Sequence, residues 1–149
     1  MKRMAESIAQ RLSDFECACR KAGLRLTNQR LEIYRELVLS SDHPSAEVLH
    51  KRLRKRFPAI SLDTIYRALA TFVNHGLINK VETVESQGRF EAVFMRHHHL
   101  VCSMCKEIID FKWDTIDKVA LPEEIRAWGR IDNKNVVVYG VCKKCLQPC

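Results

Sequence analysis

RHHHLVCSMCKEIID, positions 96 to 110, brings three histidines, two cysteines and an aspartate, all types that bind metal ions, into fifteen residues: His97, His98, His99, Cys102, Cys105 and Asp110. The chain's seven cysteines include two CxxC pairs, CSMC at 102–105 and CKKC at 142–145. Cys17, Cys19 and Cys149 fall outside them. Two such pairs supply the four thiolates of a closed tetrahedral zinc site. With 36 residues between Cys105 and Cys142, the ion would clamp a strand-and-helix insertion, with IIDFKW and VVVYGVC as its strands. The competing readings are a redox pair or unrelated thiols. A redox CxxC opens a helix inside a βαβ unit, a pattern these flanks do not carry.

A zinc with four thiolates leaves the histidines to another task. If HHHL is extended, His97 and His99 share one side and His98 points away. Asp110 follows on the IIDF strand and Glu91 precedes on RFEAVF. Imidazole nitrogens and carboxylate oxygens together suit Fe(II), Mn(II), Co(II) or Zn(II). The plainer reading is a solvated polar loop with a fortuitous histidine triplet.

These ligands need elements to hold them. At 149 residues, 46% apolar and 29% charged, the chain can bury a real core as one domain or two small ones. No run approaches the roughly 18 apolar residues of a membrane span. The start, MKRMAESIAQ, lacks the apolar stretch of a signal peptide, so a cytoplasmic protein is expected, with no membrane partner. The net charge of +7 is lopsided. Up to Val84 there are 15 Lys and Arg against 9 Asp and Glu, and beyond it 10 against 9. A basic first half beside a near-neutral second half suggests contact with a polyanion, although a solvated basic surface would look the same.

Periodicity predicts a helix over 5–22 that stops at Gly23. Thr27 can cap a second helix, with Leu31, Tyr34, Leu37 and Val38 on one face. A third runs through HPSAEVLHKRLRKRF, with Ala46, Leu49 and Leu53 inward and Lys51, Arg52, Arg54, Lys55 and Arg56 on a solvated face. In SLDTIYRALATFVNHGLI, Ser61 caps, Leu62, Ile65, Leu69 and Phe72 share a face, and Gly76 closes the helix. Its opposite face carries Asp63, Thr64, Tyr66, Arg67 and Thr71. LINKVETV and RFEAVF flank ESQG as strand, turn and strand. Helices followed by a hairpin are the order of a winged helix-turn-helix, in which one helix enters the major groove and the wing lies on the backbone. On that reading Tyr66 and Arg67, beside Thr64, meet DNA from the penultimate helix. Arg25 reaches phosphate or the minor groove. The alternative for Tyr66 is a half-buried packing role.

LRLTNQR, HPSAEVLHKRL, SLDTIYRALATFVNHGLI, RFEAVF, HHHLVCSMC and YGVCKKC, in this order over about residues 20 to 145, resemble the ferric uptake regulator family of bacterial metal-dependent repressors. The resemblance implies an α+β chain. A winged-helix DNA-binding domain at 1–84 would be joined by a hinge at 85–91 to a small α/β dimerisation domain at 92–149. It implies structural Zn(II) on Cys102, Cys105, Cys142 and Cys145, and a regulatory Fe(II) or Mn(II) on His43, Glu91, His97, His99 and Asp110. His43 belongs to the DNA-binding half, so an ion held from both halves would close a homodimer onto operator DNA. No organic substrate is implied.

Within the family, Asp110 resembles the aspartate of peroxide-responsive repressors, where iron sensors more often carry glutamate. Glu91 points the other way. RIDNKNVVV before YGVC lacks the histidines of a second family site, and no cysteine lies near the hinge as in many zinc sensors. The favoured expectation is a peroxide-responsive repressor in which His43 or His97 is oxidised. The runner-up is an iron-responsive repressor that releases its metal reversibly. From other classes, a non-haem iron oxygenase or a zinc-stabilised protein-binding module would share some ligands. Neither explains the basic half together with His43.

Overall fold

The computed structural model describes residues 7–82, 88–92 and 96–147. It divides into two compact units, Met1–Phe94 and Met95–Cys149. Helix and sheet are mixed in the α+β manner expected from the sequence. Among the described residues no helix is long and apolar enough to cross a membrane.

The first unit opens with four helices: α1 (Ile8–Lys21), α2 (Asn28–Leu39), α3 (Ala46–Leu53) and α4 (Leu62–Asn74). Each starts where a side-chain oxygen takes one of the N–H groups that the first turn leaves without a partner. Ser7, Thr27, Ser45 and Ser61 accept from Gln10, Arg30, Val48 and Thr64 respectively. Gly23 and Gly76 follow α1 and α4 at φ +71° and +67°, the left-handed conformation that ends helices and that glycine adopts without a Cβ clash. Strands β1 (Asn79–Val81) and β2 (Arg89–Glu91) pair antiparallel, with Lys80 opposite Phe90. The ESQG turn lies, apart from Gly88, outside the described residues. Residues 89–91 form β2, as the strand reading of RFEAVF expected, although the family resemblance placed them in a hinge; the boundary between the compact units falls after Phe94.

The core of this unit gathers Ile65, Leu69 and Phe72 of α4, Leu49 and Leu53 of α3, and Tyr34 and Leu37 of α2. Ile33, absent from the α2 face read from the sequence, is also fully buried. Phe15 stacks on Tyr34 with ring centroids 3.8 Å apart and meets Phe72 edge-on at 5.1 Å, which fixes α1 over the bundle. Cys19 packs in this core, and burial pushes its thiol up.

The second unit is a three-stranded sheet in the order β4-β3-β5, from β3 (His98–Cys102), β4 (Ile108–Phe111) and β5 (Val137–Gly140). β3 is antiparallel to β4 and parallel to β5. Between β4 and β5 run two short helices, α5 (Asp114–Lys118) and α6 (Glu123–Trp128), the strand-and-helix insertion expected between the CxxC pairs. α7 (Lys143–Leu146) closes the unit.

Candidate metal centres and DNA-facing surface

The two CxxC pairs lie at the ends of strands that the sheet places side by side. Cys102 ends β3, which pairs along its length with β5, and Cys142 follows β5 by two residues. All four sulfurs lie within 4.8 Å of one another, with Cys102–Cys145 at 3.9 Å and Cys105–Cys142 at 3.8 Å. A tetrahedral zinc with Zn–S near 2.3 Å has sulfur–sulfur edges of about 3.8 Å, so this donor set fits that ion. The backbone N–H groups of Cys105 and Cys142 point at Cys102 Sγ and lower its pKa to about 6. Cys145 is pushed up to about 12, first by its contact with Cys142. Sulfurs this close cannot all ionise without a cation among them.

The histidine triplet alternates as an extended segment must. His97 Nε2 and His99 Nε2 stand 3.1 Å apart, and Asp110 Oδ1 lies 3.7 Å from the first and 3.4 Å from the second. Asp110 comes to His99 because β4 sets the two residues opposite each other. Ligand-to-ligand edges around an ion with bonds of 2.0–2.2 Å run from about 3.0 Å in an octahedron to about 3.5 Å in a tetrahedron. The His97–His99 and His99–Asp110 separations fall in that range for a divalent cation, and the His97–Asp110 separation of 3.7 Å lies just beyond it. His98 points the other way and is completely buried. Its Nδ1 accepts the Val136 N–H at 2.9 Å, so the ring hydrogen sits on Nε2 and is donated to Asp117 at 2.7 Å. That bond ties β3 to α5 and to the segment entering β5. This role was not legible in the HHHL pattern, since both partners are distant in the chain.

In the first unit, His43 Nε2 lies 2.9 Å from Glu91 Oε2, with both side chains only 5% exposed. The two side chains thus meet at hydrogen-bond distance, which also matches an octahedral edge between an imidazole and a carboxylate on one divalent ion, about 2.9 Å. Strand alternation turns Glu91 toward the loop before α3, where His43 precedes Pro44 and the Ser45 cap. The five residues expected to form the regulatory centre therefore occur as a pair in one unit and a trio in the other.

On the helical unit, Arg25, Thr64 and Arg67 line one concavity between the start of α2 and the start of α4, together with Arg30. Arg67 is 81% exposed and pairs with Asp63 at 2.9 Å. Tyr66 is not part of that concavity. It is exposed, and its hydroxyl donates to Glu47 of α3. That hydrogen bond lowers the Glu47 pKa and raises that of Tyr66. The basic run at 51–56, which begins on α3 and continues past its end at Leu53, is partly neutralised within the molecule. Arg52 grips Asp42, and Arg56 reaches Glu32 and Glu36.

A basic helical unit joined to a sheet that gathers thiolate and imidazole donors defines a candidate metal-binding protein of the α+β class. The chain belongs to the ferric uptake regulator family, whose match covers residues 21–136. It is 34% identical over 143 residues to the peroxide-responsive repressor PerR of Staphylococcus epidermidis, covering 95% of each chain. Among solved structures it resembles the Helicobacter pylori ferric uptake regulator, described with three functional metal binding sites. The TM-score is 0.80 at 25% identity, over 99% of both chains. It also resembles the Pseudomonas aeruginosa ferric uptake regulator with manganese, with a TM-score of 0.70 at 32% identity, over 86% of this chain and 97% of that one.

Proposed function

We propose that this chain is a cytoplasmic metal-dependent transcriptional repressor that grips operator DNA as a homodimer. In this reading α1–α4 and the β1–β2 pair act as a winged helix-turn-helix. α4 enters the major groove with Thr64, Tyr66 and Arg67, while Arg25 reaches phosphate or the minor groove. The second unit dimerises. Leu100, Ile109 and Val138 support that role, since they form a cross-strand row of apolar side chains 39–48% exposed to solvent. Cys102, Cys105, Cys142 and Cys145 hold structural Zn(II). His43, Glu91, His97, His99 and Asp110 hold Fe(II) or Mn(II). The chain is a regulator rather than an enzyme.

The observation that carries this reading is the buried His43–Glu91 pair at a metal-ligand spacing. It lies in the half proposed to bind DNA, while the matching trio lies in the other half. Ligands drawn from both halves make binding of the ion dependent on their relative orientation. The ion then favours the orientation that suits DNA, and DNA in turn favours the ion. Ferrous iron bound there would supply oxidising chemistry with hydrogen peroxide, and the chain supplies the imidazoles of His43 and His97 that would take up oxygen. Reversible iron sensing is the second reading, favoured by Glu91, where peroxide sensors of the family commonly carry aspartate.

The test is an operator-binding titration with Mn(II) or Fe(II), before and after brief peroxide, followed by peptide mass measurement. A gain of one oxygen at His43 or His97 in the iron sample alone supports peroxide sensing. Reversible loss of binding on chelation, with no mass change after peroxide, selects iron sensing. No operator shift with any divalent ion would reject both.

A further inference from the structure

We infer that Arg89 is the positioning residue of the sensing site, holding the backbone at His43 so that its imidazole meets Glu91. The inference rests on the reading of His43 and Glu91 as ligands of the regulatory ion and adds a residue that sets their affinity.

His43 sits at φ +51°, in the left-handed region that a residue with a Cβ adopts rarely. It also precedes Pro44, whose ring restricts the residue before it toward extended conformations. Two local preferences thus oppose the conformation found, and such a backbone persists only where its surroundings over-determine it. The surroundings are specific. Arg89 Nε donates to the His43 carbonyl, and Arg89 Nη2 donates to the Asp42 carbonyl at 2.9 Å. The next carbonyl, of Pro44, accepts the Phe90 N–H at 3.0 Å. Asp42 is fixed from its other end, where Arg52 reaches both carboxylate oxygens at 3.2 and 2.5 Å.

Arg89 and Glu91 stand two residues apart on β2, so strand alternation sends both side chains toward the same loop. The clamp and the co-ligand therefore ride on one rigid segment. The His43–Glu91 distance is set by the fork of one guanidinium rather than by the loop's own preference. Lysine keeps the charge but cannot supply two donors in fixed geometry. Preorganised ligands bind more tightly because less ordering is left for the moment of binding.

The experiment is a Mn(II) and Co(II) titration of the full-length zinc-loaded protein as wild type, Arg89→Ala, Arg89→Lys and His43→Ala. Thermal unfolding of each and hydrogen exchange of the Phe90 amide in protein free of regulatory metal accompany it. Arg89→Ala is expected to weaken Mn(II) binding by about 10–100-fold, the range for partners that orient ligands. It should also alter the Co(II) ligand-field spectrum and speed Phe90 exchange, with Arg89→Lys intermediate. Wild-type affinity and spectrum in Arg89→Ala, with only a lower melting temperature, would overturn the inference and leave Arg89 a structural residue. If Arg89→Ala does not fold, Arg89→Lys carries the test, and an affinity equal to wild type overturns it. Failure of the underlying reading looks different: His43→Ala itself would then bind Mn(II) as wild type does.

Discussion

Stripping zinc from the four-cysteine centre should unfold the second unit and leave the helical unit standing. The reason is a difference in cores. Among the described residues of the second unit, the buried apolar side chains beyond the ligand Cys102 are Val101 and Ile108, and α5, α6 and α7 bury none. Burying two such side chains is worth about 3–6 kcal/mol. A structural zinc contributes about 10–16 kcal/mol of apparent binding free energy. The ion outweighs the apolar contacts. The first unit has its own core built on Phe15, Ile33, Leu69 and Phe72 and draws nothing from the thiolates. Both tryptophans, Trp113 and Trp128, lie in the second unit, so their emission reports it alone. Trp128 is already 80% exposed, which leaves Trp113 as the reporter. In a chelator titration, Trp113 emission should move to that of a solvated indole in step with zinc release. Helical circular dichroism, carried mostly by α1–α4, should fall little. Full zinc release with unchanged Trp113 emission and unchanged amide protection in β3 would refute the reasoning.

Two further outcomes test the helical unit. Ser61→Ala removes the cap of α4 and should cost about 1 kcal/mol, or roughly 4–8 °C in melting temperature, read by calorimetry; no change would mean the cap bond is not made in solution. Asp42 is held below its ordinary pKa of 3.8 first by its hydrogen bond from Arg52. A depressed folded value means the pair stabilises fully above 3.8 and is lost as pH falls through the lower folded value. Urea unfolding with chelator present should therefore show a shallower loss of stability on the acid side in Asp42→Asn than in wild type. Parallel curves would remove the pair from the account.

What the sequence made legible divides along the range of the interactions. Helix starts at Thr27 and Ser61 and ends at Gly23 and Gly76 follow from a few neighbouring residues, and they stand where the pattern put them. The CxxC pairs were legible because ligand type and spacing both speak for one ion. Ile33 was missed because a single apolar stripe was sought on α2, whereas that helix packs against α1, α3 and α4 and buries a wider arc. Residues 89–91 were legible as a strand in RFEAVF, while their place in a hinge came from the family resemblance alone; their register with β1 is set across the chain, where local composition gives no cue. The Tyr66–Glu47 bond, the His98–Asp117 bond and the grip of Arg89 on the His43 carbonyl share that character. Each joins residues whose proximity only the fold creates. His43 itself was reached through the family resemblance and not through spacing.

The central claim is that one divalent ion, held from both halves of the chain, sets the posture that grips DNA. Operator binding by His43→Ala, titrated with Mn(II) beside wild type, tests it most directly. In wild type the ion should raise operator affinity by a factor in the range of about 5–150, the usual size of such coupling. In the variant, with Cys-bound zinc retained and the fold intact by circular dichroism, that factor should fall to about one. A variant whose operator affinity still rises with Mn(II) as in wild type would contradict the account.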